Sequence, residues 1–225
     1  MHWNDIYDNL DFLITGLLVT LKLASVAIAG SLILGTFLGI LRYSKIFPFN
    51  ILATFLIETI RSIPLILFIV FIHFGFLPYF LGSSVSFFQS ACIGLIIFTS
   101  AYIAEIIRGG LCSVEAGYIN AAKSLGLNSF QRLIYIILPI AITRMLPALV
   151  SQFITLIKDT SIASTIGLIE FTRSGEIIYE RTYHEFEILL FIAFVYFIIC
   201  YTLSSFSKKL EFKQLFSTSK EVSLS

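Results

Sequence analysis

Two stretches of this chain carry residue types that could do chemistry. In the first, Gln152, Thr155, Lys158, Asp159, Thr160 and Ser161 interrupt an otherwise apolar region. An ionised side chain within a membrane costs about 2.5–3.5 kcal/mol on insertion scales, so Lys158 and Asp159 each need a partner or a ligand. As sequence neighbours on a helix they point about 100° apart and cannot pair in one direction. Two readings follow. One is a structural salt-bridge network reaching Glu58 or Arg61. The other is a polar cavity in which the charged ends of an amino acid meet a cation and an anion, with Gln152, Thr155, Thr160 and Ser161 adding hydrogen bonds.

The second stretch runs from Gly117 to Gly126 and is a polar interval between apolar regions. Val114, Tyr118, Ala121 or Ala122, and Leu125 fall at helical spacing, which predicts a short amphipathic helix. Gly126 is placed to end it, and Asn128 or Ser129 to cap the next helix. Ala121 and Ala122 would leave a shallow surface that another protein's backbone could approach. A helix that merely caps the rest of the molecule fits the same spacing. The sequence has no G-x-x-x-x-G-K-[ST] phosphate cradle, so the chain is not expected to hydrolyse ATP or to be an enzyme in its own right. Cys92, Cys112 and Cys200 lie far apart without ligand spacing, read as small buried hydrophobes, and offer no metal site. No basic cluster points to nucleic acid.

The elements that must position these residues are hydrophobic. Of 225 residues 57% are hydrophobic and 13% charged, and the mean hydropathy is +0.93. That composition predicts an all-α integral membrane protein. About five spans are expected: Phe12–Leu41, Ile51–Phe80, Phe87–Ala104, a fourth region rising from Phe130, and Ile188–Phe206. Gly30, Gly35 and Gly39 recur on one side of the first and would admit a close neighbour. The second is interrupted by Glu58, Arg61 and Pro64, and Pro64 either opens or kinks its main helix. His73 there reads as a packed or hydrogen-bonded residue ahead of a proton relay. Gly82-Ser83-Ser84 makes a turn. Pro139 and Pro147 are expected to break the fourth region into pieces, and residues 171–187 to form a polar loop. The first twelve residues carry Asp5, Asp8 and Asp11 and no basic group resembling a cleavable signal.

Charge sets the expected orientation. With the N-terminus outside, inward segments hold Arg42, Lys45, Arg108, Lys123, Arg132, Lys208, Lys209, Lys213 and Lys220, nine against only Arg173 and Arg181 outward. Cytoplasmic loops retain Lys and Arg, so the N-terminus is expected in the periplasm and the C-terminus in the cytoplasm. Residues 1–11 then form an outer tail, 12–207 the membrane domain with a cytoplasmic segment 105–132, and 208–225 a basic inner tail.

An ordered series of motifs resembles the permease subunits of bacterial ATP-binding-cassette (ABC) importers, in the polar amino acid branch, across residues 12–207. The series includes Ala104-Glu105-Ile106-Ile107-Arg108-Gly109-Gly110-Leu111, Ala121-Ala122-Lys123-Ser124-Leu125-Gly126, Ile137-Leu138-Pro139, Leu146-Pro147-Ala148-Leu149, Gln152-Phe153 and Lys158-Asp159-Thr160-Ser161. Glu58-Thr59-Ile60-Arg61 and Thr182-Tyr183-His184-Glu185-Phe186-Glu187 extend it. The resemblance implies the type I importer permease fold. It also implies a coupling helix, carried here by Gly117, Asn120, Ala121, Ala122 and Gly126, that sits in a groove of a separate ABC ATPase present in two copies. That ATPase hydrolyses the ATP, and this chain binds no cofactor. A second permease subunit, identical or not, and a periplasmic amino-acid-binding protein complete the assembly in the inner membrane. Glutamine heads the substrates, with glutamate, histidine and arginine open. Two departures stand out. The family's signature Glu is Asn120, which removes a charged contact, and its Arg-Gly-Thr-Pro turn reads Arg61-Ser62-Ile63-Pro64. An ion-coupled secondary transporter would need repeats and more spans, and a non-transporting scaffold would leave the intramembrane polar residues unexplained.

Overall fold

The computed structural model describes residues 3–44, 46–81 and 85–222, with side chains as far as residue 205 except that of Leu81. The expected turn at Gly82-Ser83-Ser84, the loop residue Lys45 and the side chains of the tail lysines lie outside it. In chain order the helices are α1 (Asn4–Asp8), α2 (Leu10–Tyr43), α3 (Phe49–Arg61), α4 (Leu65–Val70), α5 (Leu77–Leu81), α6 (Phe87–Cys112), α7 (Ala116–Ser124), α8 (Ser129–Arg132), α9 (Leu138–Asp159), α10 (Phe171–Thr182) and α11 (Glu185–Val222). A π-helical turn, Phe71–Phe76, joins α4 to α5; another, Leu133–Ile137, joins α8 to α9; a 3-10 turn, Thr160–Ile166, follows α9.

Among the described residues, four runs are long and apolar enough to cross a membrane: Leu10–Tyr43, Phe87–Cys112, Ser129–Ile166 and Glu185–Ser205. A fifth exists if Phe49–Arg61 and Leu65–Phe80 count together, although they meet at a 105° bend. Pro64 decides that bend. Its backbone is extended (ψ 134°), and its ring starts α4 where no intrahelical N–H is needed. The spans show large apolar side chains outward, such as Ile33, Phe37, Phe55, Phe194 and Phe197. Helices apolar on the outside as well as the inside suit a lipid solvent.

The core forms where α2, α6, α4, the 3-10 turn and the end of α9 meet, around Leu23, Ala27, Ile69, Leu95, Leu156, Ile157 and Ile166. The most extensive helix pair is α2 with α6. Two glycines permit it. A Cβ at Gly35 would sit 2.7 Å from the Ile103 Cβ and 2.8 Å from the Ser100 carbonyl oxygen, and one at Gly39 would sit 2.7 Å from the Ala104 carbonyl oxygen. Backbone atoms in a packed helix cannot yield, so Gly35→Val or Gly39→Val is expected to cost about 1–3 kcal/mol by overpacking. Thermal unfolding in detergent measures the loss, and an unchanged midpoint would contradict the packing.

Four expectations needed correction. The third span does not end at Ala104, because α6 continues through the Glu105–Arg108 pair to Cys112. The fourth region is not broken by its prolines. The π turn precedes Pro139, Pro147 lies inside α9, and the Thr143 hydroxyl donates to the Pro139 carbonyl oxygen (2.8 Å). Local π adjustment is one way membrane helices accommodate proline. Residues 171–187 are chiefly a helix rather than a loop, because Phe171, Ser174, Gly175 and Ile178 bury one face. On the other face Arg173 bonds Glu176 (2.9 Å) and Glu180 (3.0 Å), and the Glu176 bond first among these holds its guanidinium above the usual value. Cys112 is exposed, whereas Cys92 is buried and Cys200 half-buried. His73 is packed, with Nδ1 2.9 Å from the Ser90 hydroxyl and its ring against Phe74 and Phe87.

Two polar clusters mark opposite ends of the bundle. At one end, Asp5 of α1 lies 2.6 Å from His184 Nδ1, and Arg181 donates to the Asn9 side-chain oxygen at 2.6 Å. At the other, Arg42 joins Glu58 (2.7 Å) to Glu105 (2.8 Å), and Arg108 is bonded to Glu105. The 34 residues of α2 put roughly 50 Å between them at 1.5 Å per residue.

Candidate functional site

At the end of α9 the chain tightens into the 3-10 turn Thr160–Ile166. Within it the Thr160 hydroxyl donates to the Ile157 carbonyl oxygen (2.7 Å) and the Ser161 hydroxyl to that of Lys158 (2.8 Å). The tightened turn leaves Lys158 and Ser161 facing a pocket of about 280 Å³, whose other walls are Thr172 of α10 and Leu189, Ile192, Ala193 and Tyr196 of α11. The volume is near the lower end for small-molecule sites, which suits a ligand smaller than a drug. The lining combines one cation and three hydroxyls with an aliphatic wall, the mixture that orients a small polar ligand.

The residues expected around Lys158 are divided by the structure. Ser161 joins it. Asp159 is half-buried on a different side and is not among the residues lining this pocket, as 100° between helix neighbours requires. Thr160 is fully buried and bonded to its own helix, and Thr155 is exposed and bonded to the Ser151 carbonyl oxygen (3.1 Å). Gln152 is half-buried a turn and a half earlier on α9. Glu58 is paired with Arg42 at the end of the bundle that also holds Glu105. Arg61 packs its guanidinium 5.3 Å from the centre of the Tyr102 ring. Neither Glu58 nor Arg61 supplies the salt bridge considered for Lys158 and Asp159, and among the described residues neither member of that pair makes an ion pair.

Sequence reasoning missed Thr172, Tyr196 and the buried Glu170. Tyr196 was discoverable as a polar tip inside a charge-free apolar run, because a buried tyrosine hydroxyl finds a partner. Glu170 had no such signal, since its burial depends on Thr20, 150 residues away.

The second candidate region, from 113 to 132, is built from caps. Gly126 has φ +75°, and the Gly126 N–H donates to the Lys123 carbonyl oxygen (2.9 Å) and the Leu127 N–H to that of Ala122 (3.1 Å). This is the paired C-terminal motif that a left-handed glycine closes. Asn128 then opens α8 with a reciprocal cap: its side chain accepts from the Gln131 N–H and its N–H donates to the Gln131 side chain, both at 2.9 Å. Arg132 bonds the Leu127 carbonyl oxygen (2.7 Å) across the turn. Arg144 of α9 donates to the Ser113 carbonyl oxygen and lies 3.8 Å from Glu115. Asn128→Ala is expected to cost about 0.5–2 kcal/mol locally. Amide hydrogen exchange read across residues 113–132 should quicken, and unchanged rates would contradict the cap's role.

The helix between these caps does not present both alanines. Ala122 is 2% exposed and faces the molecule, and Ile119 of the same helix packs against the cluster that holds Leu111 and Val114. The outward face holds Gly117, Asn120 and Ala121, flanked by Tyr118 (51% exposed) and Leu125 (81%). Positions 117 and 121, one turn apart, form a small-residue depression, with Tyr118 and Leu125 on the adjoining stripe. A Cβ added at Gly117 would meet nothing within 4 Å. Asn120 lies on this same outward face, so the substitution of a neutral side chain alters the exposed surface and leaves the core untouched.

Residues 31–214 match the family described as "Binding-protein-dependent transport system inner membrane component". The chain is 42% identical to the probable glutamine ABC transporter permease protein GlnP of Bacillus subtilis, over 92% of this chain and 95% of that one. It is 36% identical to the glutamine transport system permease protein GlnP of Escherichia coli, over 93% and 95%. Among solved structures, one titled "Crystal structure of an amino acid ABC transporter with histidines" superposes with a TM-score of 0.88 at 34% identity, over 95% of this chain and 99% of that one.

Proposed function

Because this chain belongs to the binding-protein-dependent transport system inner membrane component family, we propose that it is the multi-pass permease subunit of an inner-membrane amino acid ABC importer and that it moves glutamine. The near end-to-end likeness to permeases named for glutamine carries this reading. In it, α7 is the coupling helix. Its outward Gly117–Asn120–Ala121 depression, with Tyr118 and Leu125 at the rim, enters a groove of a separate ATPase that supplies the energy. A polar pocket held by Lys158 takes the amino acid carboxylate during passage. An ammonium group on a flexible stem is a point charge suited to that contact. The end carrying Arg42, Arg108, Arg132 and Arg144 faces the cytoplasm, and the Asp5–His184 end faces the binding protein outside.

Five spans surround too little space for a path by themselves, so a second permease subunit, identical or not, lies alongside, and two ATPase copies dock beneath. Reconstitution in lipid vesicles tests the whole reading. With the ATPase and binding protein present, glutamine uptake should require ATP and all three components. Uptake driven by an ion gradient without ATP would overturn it, and competition by unlabelled glutamate, histidine or arginine would revise the substrate.

A further inference from the structure

Among the described residues lining the pocket, Lys158 alone brings a charge, and the ammonium end of an amino acid needs a second partner. The answer lies one shell behind the wall. Glu170 is fully buried at the start of α10. Its Oε1 accepts from the Arg173 N–H (2.8 Å), and its Oε2 accepts from the Thr172 N–H (3.0 Å), the Thr20 hydroxyl (3.1 Å) and the Tyr196 hydroxyl (3.3 Å). Two of these four donors are backbone N–H groups, which can only donate. The Thr20 oxygen already accepts from the Phe171 N–H (3.0 Å), so its proton is directed to the carboxylate. An ionised carboxylate is acceptor-only, and all four groups donate to it, one at Oε1 and three at Oε2.

The consequence falls on Tyr196. A phenol has a single proton, and here it points inward to Glu170. Its oxygen can then only accept from the pocket side. Thr172, whose hydroxyl lies 3.4 Å from that oxygen and lines the same pocket, is arranged around it. We propose that Glu170 is a positioning residue that holds the Tyr196 hydroxyl as an acceptor for the ligand's α-ammonium, so that the pocket reads an amino acid with its carboxylate at Lys158 and its ammonium at Tyr196. This rests on the Lys158 pocket being the substrate site. It joins α2, α10 and α11 at the pocket through one carboxylate, and it assigns the ammonium contact to a tyrosine in place of Asp159.

The test compares glutamine with 4-carbamoylbutanoate, the same molecule without its amino group, as competitors for labelled glutamine bound to the assembled permease–ATPase complex. The wild type should prefer glutamine. Tyr196→Phe and Glu170→Gln should each reduce that preference about tenfold while leaving complex yield unchanged, whereas Lys158→Met should weaken both competitors. Glu170→Asp, which keeps the carboxylate but shortens its reach, should fall between. If Lys158→Met weakens binding while Tyr196→Phe and Glu170→Gln keep the wild-type preference, the positioning role is overturned and the pocket stands. Unweakened binding by Lys158→Met overturns both. Should Glu170→Gln fail to assemble, Glu170→Asp decides, and wild-type preference in it overturns the role of Glu170.

Discussion

Ala121→Glu is expected to release the ATPase from the complex while the membrane bundle stays folded. Ala121 is exposed on the outward face of α7, between Tyr118 and Leu125, so the new carboxylate is solvated in the free permease and no native contact is lost. At a docked interface the same carboxylate fills the depression and is desolvated without a partner. Central interface positions of this kind carry about 2 kcal/mol or more, and each 1.4 kcal/mol is tenfold in affinity. Co-purified ATPase should therefore drop more than tenfold, with glutamine uptake lost in parallel and the permease's thermal midpoint unchanged. Ala122→Glu gives the contrast. That side chain is buried against α7's own support, so the charge would be placed inside the molecule and should lower the thermal midpoint as well. Wild-type ATPase recovery with Ala121→Glu would remove α7 as the docking element.

Lys158→Met should raise the half-saturating glutamine concentration for uptake by roughly 10- to 150-fold, the equivalent of the 1.5–3 kcal/mol typical of a hydrogen bond to a charged group. Methionine keeps an unbranched apolar stem out to the ε position of lysine, so the aliphatic wall formed with Leu189 and Ile192 is preserved. Lys158 makes no ion pair among the described residues, so the change breaks no direct contact to a carboxylate. Its effect should appear in transport and leave stability alone. Asp159→Asn is the informative partner. Asp159 sits outside the pocket lining, so its neutralisation should affect uptake far less than Lys158→Met. Equal losses would return Asp159 to the site, and normal uptake by both variants would abolish it.

Much of the fold was legible because the physics behind it is local. A run of about twenty apolar residues needs no distant partner to become a spanning helix. Gly126 could be recognised as a helix stop because few other residues adopt its φ, and Asn128 because its cap closes within three residues. Glycines four apart on α2 marked a close helix contact before its partner was known. The failures have the same character. Pro139 and Pro147 were weighed as breakers by their own chemistry, whereas the π turn before Pro139 and the continuation of α9 through Pro147 are supplied by the surrounding helix.

The candidate sites were legible as stretches but not as faces. Composition and periodicity alone determined that this is a helical membrane protein, that a polar interval around residues 117–126 separates two spans, and that Lys158 and Asp159 need an explanation. The tertiary structure alone decided that Ala122 turns inward while Ala121 turns outward, that Lys158 enters a pocket without Asp159, and that Glu58 is engaged with Arg42. It also decided that Glu170, unremarkable in sequence, is buried behind Tyr196 by a threonine 150 residues away. The physical reason is the range of the interactions. Helix formation and capping are settled within four or five residues, whereas the direction of a charged side chain is set by which distant helix can satisfy it.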